Sequence, residues 1–364
     1  METRTVESGA VTEIYISATP TADAPAEKQA EEIFSGIRDI LRSKKAHILQ
    51  ERLFTVRNAT ETVRTFRSKV FGDIDDGVTP SFLLGRRGAA GPLAGVQVHA
   101  IIGDRPQTIN LDGVLCGRIF RTPERSFLTL SGISAKGVRE RPRQARAMLE
   151  KAQTALKQFG ADFICVPRTW MWLGDILNWY NDFNKVRNQF FIERGLIGKG
   201  SRQSMPASTG IGLALAGGGK CGMDLTAVLA PADSIEFLAA VGRQQCALEY
   251  GSAFSRASRT VTPAGQTVYV SGTASIDAKG VTTSIGDIPG QIENTIENVR
   301  AVLKDMSCRD DDVVQVVAYC KTTEVEEVFN GLRSRLAWPW ITVICDICRD
   351  DLLFEIEAAA MPRR

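Results

Sequence analysis

The sequence predicts an α/β protein of the α+β kind, built from three consecutive β-α-β-α-β-β units. Its 364 residues exceed what a single hydrophobic core usually holds. The last third alternates β-branched runs with segments of helical period in that order, and the order recurs twice upstream. A repeat of this length decides the whole architecture.

In the last unit, taken as residues 236–364, a strand over 266–272 is rich in β-branched and aromatic residues. Pro289 opens a helix over 291–306, where Ile292, Ile296, Val299 and Leu303 recur at helical spacing. Asp310, Asp311 and Asp312 lead into a strand over 313–319. A second helix over 324–336 ends near Pro339, and strands over 341–347 and 352–359 close the unit. The middle unit, 105–235, reads as strand 126–131, helix 143–159, strand 163–169, helix 176–191 and strands over 208–216 and 223–229. The first unit, 1–104, reads as strand 13–17, helix 27–41, strand 48–56, helix 60–70 and strands near Ser81 and over 95–100. The first strands end alike, as Tyr15-Ile16-Ser17-Ala18, Thr129-Leu130-Ser131-Gly132 and Tyr269-Val270-Ser271-Gly272.

Composition narrows the function. Lys and Arg total 44 against 42 Asp and Glu, a net charge of +2, which supplies no electrostatic footprint for nucleic acid or a membrane surface. No apolar run approaches the roughly 20 residues of a membrane span, and the polar N-terminus lacks a signal-peptide core. These features predict a cytoplasmic protein. Eight cysteines scattered through apolar runs read as buried thiols rather than a disulfide framework. Cys345 and Cys348 form a CxxC whose side chains, within a strand, would point to opposite faces, with no second pair to complete a zinc site. No metal or cofactor is expected. His47 and His99 are too isolated for a nucleophilic triad. Gly217-Gly218-Gly219-Lys220 lacks the following Ser/Thr of a phosphate loop and reads as a hairpin turn.

Glu355 and Glu357, two apart on a strand, share one face. By pattern alone this is the solvated face of an edge strand; in a cleft, burial would raise a carboxyl pKa and suit it to general-acid work. Arg349 could meet a substrate carboxylate or pair with Asp350 or Asp351 at the surface. Arg256 is either a solvated loop arginine or a source of cleft charge. Cys348 lacks a nearby histidine, so it reads as a packing or cleft-lining thiol. Trp170, Met171, Trp172, Trp179 and Tyr180 concentrate aromatics at the start of a helix and read as core in preference to a platform for a ring-shaped ligand.

In the last unit Phe254-Ser255-Arg256-Ala257, Ser271-Gly272 and Leu353-Phe354-Glu355-Ile356-Glu357-Ala358 resemble, in turn, the Tyr-Ser-Gln-Ala loop, the strand-ending Ser-Gly and the acidic closing strand of the Rid (YjgF-type) superfamily. In the middle unit, Phe183-Asn184 with Phe190-Phe191 resembles the second helix, and Met205-Pro206-Ala207-Ser208 the following strand; the first unit matches by element order. The resemblance implies chorismate-mutase-like, Rid-type units arranged as an intramolecular pseudo-trimer: a monomer mimicking a trimer, with small molecules bound in a cleft between units. Rid deaminases place an arginine after the proline that follows the second helix, whereas this chain has Pro339-Trp340, Pro206-Ala207 and Pro80-Ser81. Cys348-Arg349-Asp350-Asp351-Leu352-Leu353 and Pro206-Ala207-Ser208-Thr209-Gly210-Ile211-Gly212 look more like the chorismatase branch, and Arg168-Thr169-Trp170 is loosely similar to its Arg-Val-Trp stretch.

The resemblance therefore implies Glu355 as catalytic acid, with Phe254, Ser255, Arg256, Ser271, Gly272, Cys348 and Arg349 around a carboxylate-bearing substrate between the middle and last units. The narrowest expectation is cleavage of chorismate to pyruvate plus a cyclohexadiene acid or 3-hydroxybenzoate. An imine or enamine deaminase and a non-catalytic binding protein are the alternatives.

Overall fold

The computed structural model describes residues 1–9, 11–198 and 204–362. Three six-stranded sheets carry the three units. The first unit contains β1 (Glu2–Ser8), β2 (Val11–Ala18), α1 (Ala26–Lys44), β3 (Ala46–Thr55), α2 (Thr60–Phe71), β4 (Ser81–Leu84) and β5 (Leu93–Ile102). The second contains β6 (Gln107–Leu111), β7 (Val114–Arg121), β8 (Ser126–Ile133), α3 (Arg141–Lys157), β9 (Arg168–Leu173), α4 (Tyr180–Glu193), β10 (Ala207–Ile211), β11 (Ala214–Leu215) and β12 (Cys221–Ala230). The third contains β13 (Glu236–Leu238), β14 (Ala257–Thr262), β15 (Gly265–Ala274), α5 (Ile288–Asp305), β16 (Val313–Cys320), α6 (Thr323–Leu332), β17 (Trp340–Ile344) and β18 (Phe354–Ala360).

Each helix pair covers one face of its own sheet. In α1, Ala30, Ile33, Phe34, Ile37 and Leu41 are buried at helical spacing against Ile14, Ile16, Leu53 and Val98 of the sheet. Asp287 and Thr322 cap α5 and α6 by accepting from Gly290 N and Val325 N. The opposite sheet faces meet one another in a shared core that includes Phe54 and Leu83 from the first unit, Trp172 and Leu213 from the second, and Tyr319 and Ile341 from the third. Hydrogen bonds stitch the units: Thr129 Oγ1 donates to Leu49 O (2.6 Å), Ser258 Oγ to Pro167 O (2.7 Å) and Gln315 Nε2 to Val98 O (3.2 Å).

Several boundaries differ from the sequence reading. Each unit begins with extra hairpin strands, β1, β6 with β7, and β13 with β14, which pair to the edge of the expected first strand. The expected strand over 163–169 is instead a helical turn, Phe163–Cys165, followed by β9; the Asp162 carboxylate accepts from Ile164 N and bends the chain. The Trp170-Met171-Trp172 run consequently lies on β9, not on a helix. The helix expected over 176–191 is broken at Trp179, with an isolated turn before α4. The strand expected over 208–216 splits into β10 and β11 at Gly212, where an added Cβ would stand 2.5 Å from Asp346 O. Residues 217–220 do turn the chain, but the strands around them are not partners: β11 pairs with β4 of the first unit, and β12 with β8 and β9. β17 ends at Ile344, so Cys345 and Cys348 are not on a strand.

The acidic pair departs most from its pattern reading. β18 lies between β15 and β16, and Glu355 and Glu357 are each only 4% exposed. Glu357 occupies the junction of the units. Its Oε1 accepts from Arg52 Nη1 (3.3 Å) and Trp170 Nε1 (2.9 Å), and its Oε2 accepts from Arg168 Nη2 (2.9 Å). The Trp170 ring meets both guanidiniums, at 4.1 Å from Arg52 and 4.7 Å from Arg168. Removing one partner of such a buried network leaves charge without compensation, so Glu357→Ala is expected to cost about 3–5 kcal/mol of stability; chemical denaturation against wild type measures it.

Candidate active site

A cleft with a free volume of about 40 Å³ opens between the second and third units. The second unit supplies Tyr180 and Arg187 from α4, and Ser208 and Gly210 from β10. The third supplies Tyr250, Ser252, Phe254 and Arg256 from the segment entering β14, Gly272 from β15, Cys348 and Arg349 from the loop after β17, and Glu355 from β18. Of the eight residues expected at the site, six line this cleft: Glu355, Arg349, Arg256, Cys348, Gly272 and Phe254.

Ser255 and Ser271 lie behind its wall. Ser271 Oγ donates to Ser255 O (2.6 Å) and accepts from Ser208 N (2.8 Å), while Ser255 N donates to Pro206 O (3.1 Å). Their polar groups are turned to the seam between units, because strand alternation sends Ser271 away from the face that Gly272 opens. Gly272 is required by its neighbour: a Cβ there would stand 2.2 Å from Glu355 Oε1.

The electrostatics are lopsided. Glu355 is pushed up to about 8, first by burial and then by the like charge of Glu357, with Arg168 opposing. The carboxyl is therefore predominantly protonated at neutral pH. Around it stand three guanidiniums, and among the described residues none of them is ion-paired with a carboxylate. Arg256 donates to Gln245 O (2.9 Å) and to the Tyr250 hydroxyl (2.5 Å). Arg349 donates to Gly280 O (2.8 Å) rather than pairing with Asp350 or Asp351. Arg187 donates to Asn184 Oδ1 (2.7 Å), and among the described residues its Nε has no partner although the residue is 1% exposed. Aromatic rings hold these cations in place: Phe254 lies within 5.7 Å of Arg187 and 5.4 Å of Arg256, and Tyr250 within 5.5 Å of Arg349. Cys348 is pushed up to about 12, first by burial and then by Glu355, which leaves a neutral thiol with no nucleophilic character at ordinary pH. Cys345 is buried, and among the described residues no group of three or more His, Cys, Asp or Glu is placed to hold a metal ion. His99 is engaged elsewhere, at 2.7 Å from Glu13 Oε1 and stacked on Tyr15.

Arg187, Tyr250 and Ser252 escaped the sequence reading, and Tyr180, read there as core, lines the cleft. Tyr180, Phe183 and Arg187 stand at helical spacing on α4, so one face of that helix combined an aromatic and a cation. That signal was present, but only the fold shows that the face opens on the third unit.

The counterpart clefts have lost the acid. Matching Ile16↔Val98, Leu130↔Leu225 and Val270↔Ala358 across the three central strand pairs puts Gly95 and Gly222 at the position of Glu355. Neither glycine has room for a side chain. A Cβ on Gly222 would meet the Leu215 side chain at 2.7 Å, and one on Gly95 would meet Ala18 O at 2.8 Å and the Ile341 side chain at 3.0 Å.

Residues 248–362, the greater part of the third unit, match the family model described as Endoribonuclease L-PSP. Over its full length the chain shares the fold of chorismatase, at 19% identity and a TM-score of 0.66, covering 98% of this chain and 99% of that one. Single-unit structures match shorter stretches. The YjgF gene product of E. coli is 17% identical with a TM-score of 0.28, covering 35% of this chain and 99% of its own; yeast Mmf1 is 17% identical with a TM-score of 0.30, covering 36% and 100%. No curated protein matches in sequence. Among the described residues no helix is long and apolar enough to cross a membrane.

The raised pKa of Glu355 has a thermodynamic signature. An ordinary carboxyl titrates near 4.5, so below that pH folded and unfolded chains are both neutral at this position. Between about 4.5 and about 8 the unfolded chain ionises while the folded one resists, and stability drains away as pH rises. Glu355→Gln removes this dependence. The variant is expected to match wild type near pH 4.5 and to exceed it by about 2–5 kcal/mol at pH 8 and above, measured by urea unfolding across that range.

Proposed function

We propose that the chain is a small-molecule hydrolase or lyase acting in the cleft between the second and third units, and that its substrate is a carboxylate-bearing enol ether of the chorismate type. The observation that carries this reading is the pairing of one protonated carboxyl, Glu355, with three guanidiniums that have no carboxylate partner of their own. Such a set offers a proton donor to the reacting centre and cations to the anionic ends of the substrate. The whole-chain likeness to chorismatase is a likeness of fold; it agrees with this chemistry, and the residues supply the argument.

In the reaction, Glu355 gives its proton to the terminal methylene carbon of the enol ether. The π electrons form the new C–H bond, and the ether oxygen shares the positive charge left on the adjacent carbon. Water adds to that carbon and loses a proton, which restores Glu355. The resulting hemiketal breaks its C–O bond, releasing pyruvate and the ring alcohol. Arg187, Arg256 and Arg349 hold the substrate carboxylates, the Tyr250 and Phe254 rings support the arginines, and Cys348 lines the wall as a neutral thiol. Glu357 keeps the proton on its neighbour by like-charge repulsion.

A coupled pyruvate assay on chorismate tests the reading, and wild-type protein that releases no pyruvate would remove the chorismate claim. Glu355→Gln is expected to lower kcat by about 10²–10⁴, and the wild-type rate to fall as pH rises through about 8, where the acid loses its proton. Arg187→Met is expected to act mainly on KM, raising it about tenfold or more by loss of a charge-assisted contact. Ammonia release from 2-aminoacrylate without pyruvate from chorismate would move the assignment to an imine or enamine deaminase, and a Glu355→Gln variant that leaves every measured activity and ligand affinity unchanged would favour a non-catalytic binding protein.

A further inference from the structure

Where the three sheets face one another, a second and smaller cavity lies on the far side of β18 from the helices. Its wall includes Arg52 and His99 from the first unit, Arg168 and Thr226 from the second, and Tyr269 and Glu357 from the third. The free volume is about 20 Å³, enough for a water-sized particle.

Two guanidiniums and one carboxylate line this space. Arg52 and Arg168, 5% and 1% exposed, share the single carboxylate of Glu357, whose two oxygens are already taken by Arg52 Nη1, Trp170 Nε1 and Arg168 Nη2. The nearest other acids are committed. Glu13 accepts from the Tyr15 hydroxyl and Ala264 N and lies 2.7 Å from His99 Nε2. Asp224 accepts from the Ser81 hydroxyl and Gly132 N. Arg168 Nη2 also donates to Thr209 Oγ1 (2.6 Å), but among the described residues Arg168 Nη1 has no hydrogen-bond partner. A fully buried cationic N–H left without an acceptor is among the most costly arrangements in a protein interior, and the space beside it is the size of one atom. We infer that this chamber is a binding site for a single halide ion, chloride under ordinary conditions, seated against Arg168 Nη1. It is separate from the candidate active site and does not rest on the function proposed there.

The competing occupant is a water molecule, for which the unpartnered Gln97 Oε1 offers an acceptor. The two are distinguished directly. Protein purified and crystallised in chloride, with diffraction measured at a wavelength where chlorine scatters anomalously, is expected to give a peak within hydrogen-bonding distance of Arg168 Nη1; density there without an anomalous peak means water and overturns the proposal. In solution, the thermal midpoint is expected to be several degrees higher in chloride than in gluconate at equal ionic strength, and to level off with concentration as a saturable site requires. Equal midpoints in the two salts also count against it. Arg168→Met should abolish the chloride response, and because that variant could fail to fold, Thr226→Asp serves beside it. Thr226 stands directly across the strand pair from Arg168, so a carboxylate there supplies the missing negative charge from within. A folded Thr226→Asp protein is expected to be indifferent to chloride; if it keeps the full chloride response and the anomalous peak, the halide does not depend on this charge and the proposal fails.

Discussion

The structure depends on one carboxylate, Glu357, held between guanidiniums from two other units. In an assembly of identical subunits the same residue would appear three times around the centre, and three buried like charges repel. A single chain escapes that constraint. By the strand register Gln97, Asp224 and Glu357 are counterparts, and the chain has made them an amide, an acid whose pKa is raised by burial and an ionic anchor. The interior can therefore be polar and asymmetric while the sheets around it repeat.

The anchor and the proposed acid are two residues apart on β18, so they share a face and an electrostatic environment. Glu357 sits among the arginines and holds the units together; Glu355 looks into the cleft, carries no ion pair among the described residues, and keeps its proton partly because Glu357 is charged. Structural and chemical roles are thus coupled through one short strand. A change made for stability at one position alters proton affinity at the other, which limits how freely this strand can vary.

Much of this was legible in the sequence. The six-element order and the recurring strand ends, a serine followed by alanine or glycine, gave three sheets, and the loop around Phe254 with the strand around Glu355 pointed to the seam between the second and third units. What could not be read was set by tertiary contacts. The pattern of Glu355 and Glu357 is that of an exposed strand face, and only the packing of three sheets turns that face inward. Arg187 looked like one more helical cation until α4 was placed against the third unit. Ser255 and Ser271 belong to motifs beside the cleft, yet their side-chain direction follows from a strand register that no motif encodes. The hairpin strands β1, β6 and β13 are short or polar and left little periodic signal.

The exchange of β11 has a consequence for synthesis of the chain. The first sheet is completed at its β4 edge by Ala214 and Leu215, residues made more than a hundred positions after β4 itself. As the polypeptide emerges N-terminus first, that edge stays open, with unpaired backbone groups free to seek another strand, until most of the second unit has followed. The first third is consequently not a module that can be detached and expected to stand alone. The order of the three units in the gene is tied to the moment at which the exposed edge is closed.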